Sequence, residues 1–186
     1  MSPPSPNVAA PWKDLLAKRA LLHETLRQFQ GVEDYGRKVA SGELHAQKDA
    51  AALEHFAESA FNLVVDLARE LLAQMNPGEA HGIRNLTAEQ LLLALRNSRV
   101  LTTARWEVLD DVREGRNSLQ HGASFVPWRA VWRQIELVEG NIDGTINDLQ
   151  AASQGWTSPS ISTSPTFTTA DFTVRAARRH PARSAL

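Results

Sequence analysis

The sequence contains no cysteine, a single tyrosine and only two methionines. Without cysteine there can be no disulfide scaffold, zinc ribbon, iron–sulfur centre or thiol nucleophile. Long apolar runs are missing too: the longest, Leu91 to Leu95, has five residues, far below the ~18 that a membrane span requires. The opening MSPPSPN has neither the basic nor the apolar region of a signal peptide, so no membrane association and a cytoplasmic location are expected. Glycine-rich phosphate loops, a G-x-S-x-G elbow, H-E-x-x-H and di-iron carboxylate patterns are also absent. The six histidines, at positions 23, 45, 55, 81, 121 and 180, do not fall into metal-ligand pairs. Neither a metal nor an organic cofactor is therefore expected.

What is present fits one helical domain. The 186 residues are 42% hydrophobic and 22% charged, with a net charge of -1, and a chain of this length buries enough surface to need no covalent staple. That small net charge hides an uneven distribution. Residues 153–186 are rich in Ser, Thr and Pro and carry Arg175, Arg178, Arg179 and Arg183 against one acid, Asp171. Such a composition cannot offset its ordering entropy, and a disordered basic tail is expected there, with a disordered N-terminus over residues 1–10. Removing the tail's four arginines and one acid from the totals of 20 basic and 21 acidic residues leaves 16 and 20, so residues 1–152 carry -4. Within them residues 84–133 run the other way, with eight arginines, no lysine and five acids.

The periodicity is helical throughout. Pro11 suits a first turn, and Leu15, Leu22, Leu26 and Phe29 follow at helical spacing, predicting a helix over 11–30. Gly31, Gly36 and Gly42 read as a loop containing Tyr35. Leu53, Ala57, Ala60, Val64, Leu67, Leu71 and Met75 then form an unbroken stripe that Asn76-Pro77-Gly78 ends. Thr87 to Gln90 is a capping-box pattern for a short helix to Asn97, and Thr102 or Thr103 can open the next, which Gly122 should close. From Trp128 to Leu149 a last long helix keeps its period, and Gly140 and Gly144 on it read as a place where a neighbouring helix approaches closely. A calcium loop over 139–144 lacks the alternating ligands and the terminal Glu. The expected fold is an all-α, up-and-down helical bundle of four to five helices over 11–152.

One polar constellation interrupts this pattern: Arg116-Asn117-Ser118-Leu119-Gln120-His121, at the end of a helix that should be burying an apolar face. On a helix Asn117 and His121 share a face, whereas Arg116 and His121 are about 140° apart, so one copy does not bring Arg and His together unless the helix ends or bends; a second copy would supply the missing side of a pocket. A near-neutral imidazole can move the protons of 2′-hydroxyl attack, and an arginine fork can hold the charge that develops on phosphate oxygens. Arg116, Asn117 and His121 match the R-N-x-x-x-H form of the HEPN superfamily, and the helix order over roughly 11–150 resembles HepT-like toxins and nucleotidyltransferase substrate-binding proteins. The resemblance implies a metal-independent endoribonuclease, a toxin or defence component, with Arg116 and His121 catalytic and Asn117 positioning. It further implies a homodimer and an antitoxin or nucleotidyltransferase partner. HepT-like toxins often carry a modifiable tyrosine two residues after the histidine, where this chain has Ala123.

Around the motif, Arg105, Arg113 and Arg129 are candidate RNA-binding residues, each phosphate contact adding affinity that salt removes. The interleaved acids Glu107, Asp110, Asp111 and Glu114 argue equally for an ordinary solvated surface, and for Arg116 itself pairing with Asp110, Asp111 or Glu114 is the plain alternative. Trp128 and Trp132 can stack a base but read better as core or interface. The reading from another class is a catalytically inactive helical module that docks a nucleotidyltransferase or other subunit.

Overall fold

Helical propensity and apolar period together give an all-α bundle. The computed structural model describes residues 6–121 and 127–155, which form seven α-helices and no strand: α1 Pro6–Leu26, α2 Val32–Ala40, α3 Leu44–Met75, α4 Ala80–Arg84, α5 Ala88–Asn97, α6 Thr103–His121 and α7 Trp128–Gly155, with a 3-10 turn at Pro77–Glu79. The tail expected from residue 153 is helical as far as Gly155, and residues 156–186 lie outside the described residues, as does Gly122. At the other end α1 starts at Pro6, five residues before Pro11.

The helix ends follow from side-chain chemistry. Asn76 closes α3: its backbone N–H and its side-chain amide both donate to the Leu72 carbonyl, at 3.1 and 3.0 Å, and Pro77 cannot continue the helix. At α5 the capping box is complete, Thr87 Oγ1 accepting from the Gln90 N–H at 3.3 Å and Gln90 Oε1 from the Thr87 N–H at 3.0 Å. Thr102 Oγ1 does the same for α6, accepting from the Arg105 N–H at 3.2 Å.

The helix count exceeds expectation by the five-residue α4 and by α2, which occupies the segment read as a loop. Val32, Tyr35 and Val39 give it an apolar face, and Gly36 is required within it: a Cβ there would overlap the Trp128 indole. Close packing against α7 thus outweighs the ~1 kcal/mol that a mid-helix glycine costs. Tyr35 is 1% exposed and packs with Phe29 and Trp132, ring centroids at 5.3 and 5.2 Å, so Trp132 belongs to the core.

Helix α3 is central, flanked by α1 and α7. Its Leu53, Ala60 and Leu67 are buried completely, as are Leu15 and Leu22 of α1 and Leu149 of α7; truncating any of these leucines to alanine is expected to cost about 2–5 kcal/mol. Helix α6 packs on α5 and α7 but makes no extensive contact with α3. That arrangement leaves the space in which the motif lies. Among the described residues no helix is long and apolar enough to cross a membrane.

Candidate functional site

Helix α6 uses Leu109 and Val112, 4% and 3% exposed, to hold the bundle. Arg116 follows one turn after Val112 and therefore points the same way, into the gap toward α3. There its Nε and Nη2 donate to Glu58 Oε1, at 3.1 and 2.9 Å, and its Nη1 donates to Asn62 Oδ1 at 3.0 Å. The partner is thus a carboxylate on another helix, not Asp110, Asp111 or Glu114. The geometry occupies three of the five guanidinium N–H donors and leaves the side chain 32% exposed. Asn117 and His121 are exposed, and His121 makes no hydrogen bond or ion pair among the described residues. Arg116 is turned onto α3 and His121 lies at the surface near the end of α6, as their separation of about 140° around the helix requires.

The other arginines have different fates. Arg113 donates to Asp110 at 2.7 Å and to Glu114 at 3.2 Å, with its side chain 15% exposed. Burial works against its charge, but Asp110, then Glu89 and Glu114, outweigh that effect and raise its pKa above the ordinary guanidinium value. Arg105 turns onto α7, donating to Asp148 at 3.3 Å and to the Asn141 side chain at 3.2 Å. Both are drawn into intramolecular contacts that leave few donors for a phosphate. Arg129 remains on the surface, paired with Glu33 at 2.7 Å and stacked over Trp128 at 5.1 Å. The expectation for Gly140 and Gly144 is corrected: Gly140 faces open space, and at Gly144 it is the Arg105 guanidinium, not a neighbouring helix backbone, that occupies the position of a Cβ.

Between α3, α6 and α7 lies a cavity of about 300 Å³. Phe61, Val112, Val131, Ile135 and Val138 form its apolar walls, and Glu54, Glu58, Arg116 and Gln134 supply its polar groups. Glu54 accepts a hydrogen bond from the buried Tyr35 hydroxyl; burial, reinforced by that carboxylate, pushes the phenol well above its usual pKa. Gln134 lies against Gly115, where any Cβ would collide with its amide. Its Oε1 is buried with no hydrogen-bond partner among the described residues.

Glu54, Glu58, Asn62 and Gln134 were not singled out in the sequence. A signal existed for three of them: Glu54, Glu58 and Asn62 recur every four residues, a polar ridge beside the apolar stripe of α3. Among the described residues no group of three or more His, Asp or Glu side chains is placed to hold a metal ion. No family model, curated protein or solved structure matches the chain.

Proposed function

We propose that this chain is a HEPN-type, metal-independent endoribonuclease, a cytoplasmic toxin or defence component acting as a homodimer under the control of an antitoxin or nucleotidyltransferase partner. The observation that carries the reading is the placement of the motif on α6: Arg116 is held in a fixed orientation by Glu58 and Asn62, while His121, a turn and a half further on, is exposed and has no partner among the described residues. In the proposed reaction His121 takes the proton of an RNA 2′-hydroxyl. The 2′-oxygen bonds to phosphorus, the bond to the 5′-oxygen breaks, and an imidazolium returns a proton to that leaving oxygen. Two Arg116 N–H groups not used on α3 are available to the phosphate oxygens, where charge builds up in the transition state. Asn117, exposed on the His121 face, positions the phosphate. Because Arg116 and His121 diverge around the helix, the Arg of one protomer meets the His of its partner.

The test is incubation of purified wild type and His121→Ala with total RNA in the presence of a chelator, followed by analysis of fragment ends. Fragments ending in 2′,3′-cyclic phosphate and 5′-hydroxyl, lost with His121, are the expected result. Cleavage abolished by chelator, or unaffected by His121→Ala, counts against it. The Glu58 and Asn62 bonds also favour a second reading, since a purely structural arginine would be fastened in the same way: an inactive helical module docking another subunit. That reading requires no RNA cleavage and a stable complex indifferent to His121→Ala.

A further inference from the structure

Helix α1 buries Leu15 and Leu22 completely, yet the face it turns to solvent is not an ordinary polar one. Lys13, Leu16, Ala17, Ala20, Leu21 and Glu24 are all exposed and fall within about 140° of arc around the helix, centred opposite the buried leucines. Among the described residues Leu16, Leu21 and Leu44 are the exposed large hydrophobic side chains, at 38%, 45% and 63%. Two of the three thus stand together here, with two alanines between them, and a contiguous apolar patch rimmed by charges marks a contact surface.

The order of these residues identifies the partner. Read from either end the face runs charge, Leu, Ala, Ala, Leu, charge, with the sign of the charge reversed, and its midpoint falls between Lys18 and Arg19. A second α1 laid antiparallel across a twofold axis at that point sets Leu16 against the partner's Leu21, Ala17 against the partner's Ala20 and Lys13 against the partner's Glu24. An isologous contact requires this self-complementarity. Parallel pairing would instead oppose Lys13 to Lys13 and Glu24 to Glu24. The central alanines let the helix axes approach to about 8 Å. Both charges are available: Lys13 makes no hydrogen bond or ion pair among the described residues, and Glu24, bonded to Arg27 at 2.7 Å through Oε2, keeps its side chain 64% exposed.

We propose that the outward face of α1 docks a second copy of this chain, antiparallel, through Leu16, Ala17, Ala20 and Leu21, with Lys13 and Glu24 closing both ends. Helix α1 packs on α3 and α7, whereas α6 packs on α5 and α7, so this contact does not use the helix that carries the motif and stands without the ribonuclease reading. With the motif-to-motif pairing proposed above it builds a tetramer; without that pairing it builds a dimer. Two helices meeting over three turns bury less than the ~1,600 Å² of a standard interface, and the association is accordingly weak and concentration-dependent.

The experiment is sedimentation velocity of the full chain from about 1 to about 500 µM, the range in which so small an interface acts. Wild type is compared with Leu21→Asp, Lys13→Glu, Glu24→Lys and the double swap Lys13→Glu/Glu24→Lys, with thermal melting to show that these exposed substitutions leave the fold intact. Leu21→Asp should halve the mass reached at the top of the range. Each single reversal breaks two pairs about the twofold axis and should weaken self-association about fivefold or more, and the double swap should restore it. Because the chain has no cysteine, Ala17→Cys and Ala20→Cys proteins can also be mixed and oxidised, and a disulfide between the two variants should form faster than one within either. A mass at the top of the range that Leu21→Asp leaves unchanged overturns the docking face. A double swap that fails to restore association, or faster joining of Ala17→Cys to itself, overturns the antiparallel pairing.

Discussion

The contact between α6 and α7 uses one steric device at both ends, with opposite outcomes. Near the start of α6, Arg105 reaches across to α7 and rests on Gly144; near the end of α6, Gln134 of α7 reaches back and rests on Gly115. In each case a missing Cβ makes room for a polar head from the facing helix. The Arg105 head is satisfied there, bonded to Asp148 and to Asn141. The Gln134 Oε1 is not: it is buried with no hydrogen-bond partner among the described residues. A polar group that finds its partners within the fold explains itself as structure. One that a glycine admits and leaves unsatisfied is a cost that the fold carries at this contact.

The largest contrast should appear between the two arginines that share this face of α6. Arg116→Ala should reduce RNA cleavage by about 100-fold or more, the scale of a lost donor to developing charge. It should alter stability by less than ~1 kcal/mol, because Glu58 is half-exposed and can be solvated. Arg105→Ala should do the reverse, leaving cleavage intact and lowering unfolding stability by about 1–3 kcal/mol through the bonds it forfeits. Single-turnover cleavage and urea unfolding, run on both variants, read the two effects separately. Equal loss of cleavage in the two would erase the distinction between the ends.

A smaller but sharper contrast is the same substitution at the two glycines. Gly144→Ala must expel a guanidinium held by Asp148 and Asn141, so helix propensity cannot compensate and the protein should lose about 1–2 kcal/mol. Gly115→Ala displaces only the end of a flexible amide, and the ~1 kcal/mol gained from propensity should leave stability unchanged or improved. Opposite signs in parallel thermal melts are the expected outcome.

These two ends were unequally legible in the sequence. The long helices follow from apolar period, and the capping box at Thr87 from its residues alone, because both are local. Helix α2 was missed because Gly36 reads as a breaker; only the Trp128 ring, 92 residues away, gives it a reason to be helical. Gly144 was recognised as a point of close approach, but what approaches is a side chain from α6. At the site, Arg116, Asn117 and His121 stood out as polar residues in an amphipathic helix. Their surroundings did not: Glu58 and Asn62 lie 58 and 54 residues away, and nothing local to Gln134 marks it as the residue against Gly115. Contacts between helices depend on how they cross, which periodicity does not specify.

The smallest expected effect concerns pH and belongs to the Arg105 end. There α7 is also tied to α1: Arg19 makes a bidentate pair with Asp143, beside His23 and Glu139. Hydrogen bonding to Arg19, against a burial penalty and aided by the positive charge of Arg19, holds the Asp143 carboxyl below its ordinary pKa. A carboxyl whose folded pKa lies below its unfolded value adds stability above the unfolded pKa and loses it as pH falls through the folded one. Melting temperature should therefore decline from neutral pH into the acid range, and Asp143→Asn should flatten part of that decline while lowering stability slightly at pH 7. Asp143 is half-exposed, so the change should be small and should shrink in high salt. The RNA cleavage proposed for the other end should stay constant in Asp143→Asn, since that pair lies on the α1 side of α7 and outside the residues that line the cavity. Cleavage that fell along with the melting temperature would mean that the two ends of α7 are coupled.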